Sequence, residues 1–333
     1  MSYGYRGNGG VIGFKNSWTT TKSGNWDTSV RYANQVQLPP DPPGEYQYST
    51  VGSHTFTVPA GVTSICLLVI SGGGGGMYYN GSSAGYSFRM NGGGGGALAW
   101  KNSVSTSVGQ QYAIVVGGGG SPGFYASGST VGGTSSAAGT GVSMNCTGGA
   151  PGRYSQNILP GVATGGDSGG NQRGGQSLGY GSSGYGPAGG GGGPGYSGTD
   201  TYSGGNGGNR LASATYGPTA GLNGGGGGGG YSSSEYLSNG GGGTGIFGQT
   251  TNGTAGGSNT LAGGGSGGGV PTASPDYQVG GLYGAGGGGN SSVYSGTGGA
   301  GAQGIVRIVF GTGRSFPATN VALADSNGNV TVV

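Results

Sequence analysis

Tyrosine is the residue type with both the number and the spacing to do chemistry in this chain. Most of its 21 copies fall in spacers rich in Ser, Asn and Gly. They recur as close aromatic pairs: Tyr78 and Tyr79, Phe124 and Tyr125, Tyr180 and Tyr185, Tyr196 and Tyr202, Tyr231 and Tyr236. The chemistry this suits is binding rather than bond making. A tyrosine ring offers rigid amphipathic area with few torsions to freeze, and small polar neighbours adapt their hydrogen bonds to a partner. Aromatic faces also suit sugar rings. The same pairs can instead fill space in a protein short of core residues, packing on one another over the end of an element. Both readings stand at the level of sequence.

Catalysis has far less to work with. His54 is the one histidine, and the eight carboxylates scatter over 333 residues without the spacing of a pair or triad, so no general acid and base are brought together. The expectation is a chain that is not an enzyme. Gly-x-Gly-x-x-Gly matches arise trivially from the glycine runs and none opens a helix, so no nucleotide cofactor is expected. Cys66 and Cys146 sit in unlike contexts, a strand and a glycine-rich segment, and make neither a disulfide framework nor a metal pattern. They read as free thiols of a chain made in a reducing cytoplasm. Eleven Lys and Arg against eight Asp and Glu, spread without a run, exclude a phosphate-binding patch. Arg173-Gly174-Gly175 is a lone fragment of a motif that RNA-binding tails repeat many times. No secretory leader is read at the N-terminus, and no stretch reaches the roughly 20 apolar residues that cross a bilayer.

The elements that must position the tyrosines are unusual. Thr55-Phe56-Thr57-Val58 leads through Pro59-Ala60-Gly61 into Ile65-Cys66-Leu67-Leu68-Val69-Ile70, which is apolar on both faces and so a fully buried strand. Residues 97–100 and 112–116 read as further strands. Ile305-Val306-Arg307-Ile308-Val309-Phe310 is a lone strand far along the chain whose backbone groups need a partner, and the early strands supply it. Between them glycine runs recur irregularly, at 72–76, 92–96, 117–120, 189–193, 224–230, 240–243, 263–265 and 286–289, within a total of 96 glycines. Irregular spacing excludes collagen and a solenoid of fixed period. A glycine helix is unstable by about 1 kcal/mol per residue relative to alanine, and a glycine strand has nothing to pack.

Polyglycine II geometry explains the runs. It has three residues per turn and no internal hydrogen bonds, so it directs its backbone groups outward in three directions. Rods packed side by side satisfy one another's donors and acceptors, with Cα–H to oxygen contacts between. A rod surrounded on all sides must be glycine throughout; a rim rod can carry side chains outward. The expected fold is all-β with irregular structure: a small β-sandwich-like unit framing a bundle of polyglycine II helices joined by long loops, with essentially no α-helix. Residues 1–50 form an N-terminal arm with a proline-rich linker, 51–116 a β-strand unit, 117–303 the glycine-rich region, and 304–333 a closing strand and tail. In the arm, Trp18 and Trp26 precede Pro39-Pro40-Asp41-Pro42-Pro43, a stiff extended spacer. That is the form of an attachment segment, though a terminal strand tied to the next domain would read the same way.

Thr55 to Val62, Ile65 to Ile70, the run 72–76 and the closing Gly304-Ile305-Val306-Arg307-Ile308 resemble the glycine-rich domain of phage tail proteins. The glycine bundle is similar to the polyglycine II sandwich of the tip adhesins on T-even phage long tail fibres. Gly10-Val11-Ile12-Gly13 with Trp18 and Trp26, and Arg314-Ser315-Phe316-Pro317, are similar to stretches in virion proteins of cyanobacterial phages. The arm does not look like the fibre-docking domain of the T-even adhesins, so the resemblance supports a virion location and the scaffold better than the tip position. It implies a virion structural protein, a tail fibre or tail-tip adhesin, made in the host cytoplasm and carried on an exterior appendage. Its partners would be other virion proteins through the arm, with Trp18 and Trp26 as anchors, and a host surface polysaccharide or outer-membrane protein through the tyrosine pairs. An oligomer such as a trimer is compatible with it. A non-adhesive appendage or decoration protein, or a flexible glycine-rich matrix protein, remain the other readings.

Overall fold

The computed structural model describes residues 43–78, 90–124, 128–153, 157–168, 170–178, 188–196, 203–207, 218–223, 225–226, 228–229, 238–249, 253–254, 279–289 and 298–318. The chain divides into two units, Met1–Pro40 and Asp41–Val333, and all the described residues belong to the second. They contain twelve strands and no helix.

Two five-stranded sheets make a sandwich. The first runs β1 (Gly44–Tyr48), β12 (Ile305–Phe310), β3 (Ser64–Ile70), β5 (Ala97–Ser105) and β11 (Asn171–Arg173). The second runs β10 (Ala163–Thr164), β9 (Val142–Cys146), β8 (Ser135–Gly139), β6 (Gln111–Val116) and β2 (Gly52–Thr57). Every neighbouring pair in both is antiparallel. As the sequence requires, the late strand β12 lies between β1 and β3. Phe56, Ile65, Leu67, Val69, Tyr112, Ile114, Met144, Val306 and Ile308 fill the space between the sheets, each large apolar side chain contributing about 1.5–3 kcal/mol by leaving water.

The two sheets differ on their outer faces. β6 and β9 alternate buried and exposed residues, as a sheet with one wet face must. β3 and β12 are buried on both, because Leu68, Ile70, Leu98, Trp100, Ile305 and Val309 meet a second apolar cluster with Tyr196, Ile246 and Phe316.

The sandwich is larger than residues 51–116. β1 precedes residue 50, so the segment next to the proline cluster is a strand of the first sheet rather than part of an arm. β8 to β11 lie inside the stretch read as glycine-rich, and Cys146 is a core residue of β9. β8 is not readable from the sequence, because Ser-Ser-Ala-Ala-Gly has little intrinsic strand preference. It is held by its partners and by the two-residue turn Thr140-Gly141, where Gly141 has φ of 74°, a conformation that hairpin turns ask of glycine.

At one end of the sandwich the strands run on into glycine rods. β3 continues as 72–76, β6 as 117–120, β9 as 148–150 and β11 as 174–177; returning rods 92–96, 130–133, 158–161 and 298–304 lead into β5, β8, β10 and β12. In the first rod, Gly72 and Gly75 donate to Gly133 and Thr130, Gly73 and Gly76 to Ala302 and Gly299, and Gly74 to Gly94. Residues three apart address the same neighbour, which is the threefold screw of the polyproline II form. The carbonyls of Gly72, Gly73 and Gly74 accept from Gly149, Gly120 and Gly287, so six other rods surround this one. A Cβ on Gly72, Gly73 or Gly74 would overlap the carbonyl of Gly118, Ala285 or Ala150.

The hydrogen bonds order the rods into four layers. The second sheet extends into the layer 158–161, 148–150, 130–133, 117–120, and the first sheet into 174–177, 92–96, 72–76, 298–304. Two layers without strands follow: 203–207, 188–193, 285–289 and 279–283, then 219–222, 225–226 with 228–229, and 238–243. The rods enclosed on all sides, 72–76, 92–96, 188–193 and 285–289, are glycine but for Ala188 and Ala285 at the ends. Side chains appear on the rim, where Val131, Leu159, Leu222 and Val279 are exposed.

Candidate binding surface

Because rods alternate in direction, their connections gather at two opposite ends. The near end abuts the sandwich. There the turns around Tyr196, Asn223, Ile246 and Tyr283 link rods of the third and fourth layers, and those of Tyr196, Ile246 and Tyr283 pack on the outer face of the first sheet. Tyr196 is wholly buried. Its ring stacks on Phe316, 6.1 Å between centroids and 10° between planes, and its carbonyl accepts from Trp100 Nε1 at 3.0 Å. Tyr196 thus serves as packing in this structure: a near-end turn has an apolar sheet face to cover, and burial there is the alternative open to every tyrosine pair.

At the far end the chain leaves the described slab at Tyr78 and re-enters at Met90, and does so again at Phe124 and Gly128, Arg153 and Asn157, Leu178 and Ala188, Gly229 and Ser238, and Gly289 and Gly298. β4 (Met77–Tyr78) and β7 (Gly123–Phe124) pair in parallel here. They bring together two residues singled out from sequence: the Tyr78 and Phe124 rings meet edge to face at 5.6 Å and are both half-buried. Hydroxyls tie the neighbouring rod ends. Ser121 N–H donates to Thr130 Oγ1 at 2.7 Å, and Ser129 Oγ donates to the Gly152 carbonyl at 2.7 Å. Tyr79, Tyr125, Tyr180, Tyr185, Tyr202, Tyr231, Tyr236, Trp18 and Trp26 lie outside the described residues.

The titratable groups form a different site, between β1, β12 and the near-end turn of Ile246. Glu45 on β1 receives Arg307 at 2.6 Å and Arg314 at 2.9 Å on the same oxygen, Oε2. The Arg307 side chain is fully buried; it also donates to the Ile246 carbonyl at 2.7 Å and lies 5.0 Å from the centre of the Phe247 ring. Arg314 also donates to the Gly44 carbonyl at 2.6 Å. Burial alone would raise the Glu45 carboxyl. The Arg307 charge, with hydrogen bonds from Arg307, Arg314 and Gln47, outweighs it and holds the group below its ordinary value. Sequence reading missed this cluster, although an arginine in the middle of an apolar strand is itself a signal that a buried anion awaits it.

His54 donates from Nε2 to the Thr50 carbonyl at 2.7 Å and lies beside Tyr48. Cys66 and Cys146 are buried free thiols, pushed up in pKa by burial and so weak nucleophiles. Among the described residues no group of His, Cys, Asp and Glu is arranged to hold a metal ion, and no helix is long and apolar enough to cross a membrane.

Fold and surface together define an all-β scaffold whose strands continue into a polyglycine slab with connections gathered at its ends. The model of the family described as the glycine-rich domain matches residues 49–258, and the chain belongs to that family. The match ends before β12, the strand that completes the first sheet. No curated protein matches the chain.

Proposed function

We propose that this is a non-catalytic structural protein of a bacteriophage virion, a tail fibre or tail-tip adhesin that presents aromatic and small polar residues to the host surface. The observation that carries the reading is the separation of scaffold from display. Interior rods admit no side chain, and they bring connections as far apart in sequence as Tyr78 and Gly289 to one end of the slab. A backbone core tolerates any sequence in those connections, which is what a changing receptor demands. The Tyr78 and Phe124 pair at that end offers a partly exposed aromatic face, and polysaccharide or an outer-membrane protein is the expected ligand. Attachment to other virion proteins is assigned to the arm with Trp18 and Trp26.

The test is binding of the purified protein to cyanobacterial cells and to their extracted polysaccharide. Changing Tyr78 and Phe124 together to alanine is expected to lower binding at least tenfold with little change in melting temperature. Unchanged binding by this variant and by variants of the other far-end pairs would leave the second reading, a non-adhesive appendage, which the burial of Tyr196 supports, since an aromatic of these spacers is there used for packing.

A further inference from the structure

The geometry points to a mechanical clamp: β1 is held to β12 so that tension between the N-terminal side of the chain and the far end of the slab loads the pair in shear. Among the described residues β1 is an edge strand with one neighbour in its sheet, β12. Their register runs antiparallel from Gly44 with Phe310 to Tyr48 with Val306. Phe310 lies at the sandwich end away from the slab and Ile305 at the slab end, where rod 298–304 arrives. The chain upstream of Gly44 thus enters β1 at the end remote from the slab, and a pull on it is directed along the strand axis. A pull on the slab draws β12 the opposite way through its own rod. All of the register pairs then resist together instead of parting one at a time.

The ionic cluster stands where that load arrives. Glu45 is the second residue of β1, and its carboxylate is held by Arg307 from β12 and by Arg314 from the segment after it. Arg314 also grips the Gly44 carbonyl. These charge-assisted bonds, roughly twice as strong as neutral ones, are screened from water by the burial of both arginines. Phe310 closes over Gly44, where a Cβ would strike its ring. The segment bearing Arg314 is itself fixed, since Asn102 exchanges hydrogen bonds with Phe316 at 2.6 and 2.9 Å. The clamp follows from the fold and does not depend on the ligand or location proposed above.

Single-molecule pulling on the full chain tests it, with one handle at the N-terminus and the other at an introduced cysteine. Ser121→Cys, exposed at the far end of the slab, gives the shear geometry. Thr312→Cys, exposed just past β12, loads the same strands as a zipper. Forced rupture reports the unfolding barrier, and the force that frees β1 is expected to be several-fold higher with the Ser121 handle. Glu45→Gln should lower that force. Equal forces in the two geometries, or the slab giving way before β1 in the Ser121 geometry, would overturn the clamp. An unchanged force in Glu45→Gln would remove the cluster from it. Comparing two handles on the same folded protein keeps the test valid even if the Glu45 variant folds poorly.

Discussion

Glu45 and the rod glycines show how strongly single residues are constrained here. Glu45 neutralises one of two buried guanidinium groups, and breaking a buried pair costs about 3–5 kcal/mol because a charge is left without its partner. With the Glu45 side chain 14% exposed, Glu45→Gln should fall at the low end, about 3 kcal/mol at neutral pH. The pH dependence has a definite sign. The folded carboxyl titrates below its ordinary value of 4.5, so its stabilisation is complete above that value and disappears as pH falls through the folded pKa. Melting curves from neutral pH to about pH 3 should therefore show wild type losing stability below about 4.5 more steeply than Glu45→Gln; parallel curves would contradict the pairing. Glycines divide by position. A Cβ on Gly191, inside the slab, would overlap the Gly175 carbonyl, whereas on Gly118, at the rim, it would touch only Val51 at 3.6 Å. Gly191→Ala should destabilise by more than about 3 kcal/mol, past the usual range for overpacking because backbone cannot step aside. Gly118→Ala should be neutral or gain about 0.4–1 kcal/mol through the unfolded state. Calorimetry should show a clear fall in Tm for Gly191→Ala and a level or raised Tm for Gly118→Ala, and a rise in Tm for both would mean that the rods are not tightly packed.

At the scale of elements, rods are strands continued by other means. Antiparallel strands β3 and β5 pair up to Ile70 and Leu98, Ser71 N–H still donates to the Ala97 carbonyl, and from Gly72 onward the chain turns its donors to three different neighbours. The switch coincides with the loss of side chains, since a sheet needs alternating groups to pack and a polyglycine lattice needs none. Buried hydroxyls mark the changeover: Ser71 Oγ donates to the Thr147 carbonyl and accepts from Ala97 N–H, both at 2.7 Å, and Ser135 Oγ accepts from Gly117 N–H at 2.9 Å. Much of this was legible in the sequence. Runs of glycine point to enclosed rods, and the apolar segments 65–70 and 305–310 to a doubly buried sheet. The short strands β10 and β11 and the small-residue strand β8 were not legible, because they are fixed by neighbours remote in sequence. The fate of the tyrosines was not legible either, since near-end and far-end connections share one composition and only the direction of each rod separates them. Tyr196→Ala should accordingly cost about 3–5 kcal/mol, as for any large buried aromatic, and leave ligand binding per folded molecule unchanged. A loss of binding without a drop in Tm would return Tyr196 to the display surface.

For the whole molecule the decisive boundary is where the N-terminal segment stops and the sandwich begins. The sequence places it near residue 50, after the proline cluster; the structure places it at Pro40, with β1 and Glu45 inside the second unit. Two truncations distinguish the boundaries. Removing residues 1–40 takes away no strand of either sheet and no member of the ionic cluster. Removing residues 1–50 strips β1 from β12, exposing an apolar edge of the kind that recruits other chains and leaving Arg307 and Arg314 buried without their carboxylate. The shorter deletion should keep the melting temperature of the parent and stay monodisperse in size-exclusion chromatography, while the longer one should melt lower and aggregate. If both behaved alike, β1 would contribute nothing and the boundary near 50 would be restored. The same pair bears on attachment. Should the shorter truncation remain folded yet be absent from purified particles, residues 1–40 carry the docking function assigned to Trp18 and Trp26. Its presence in particles at the parent's level would move attachment onto the sandwich or slab, whereas loss of the longer form alone would report failed folding rather than failed docking.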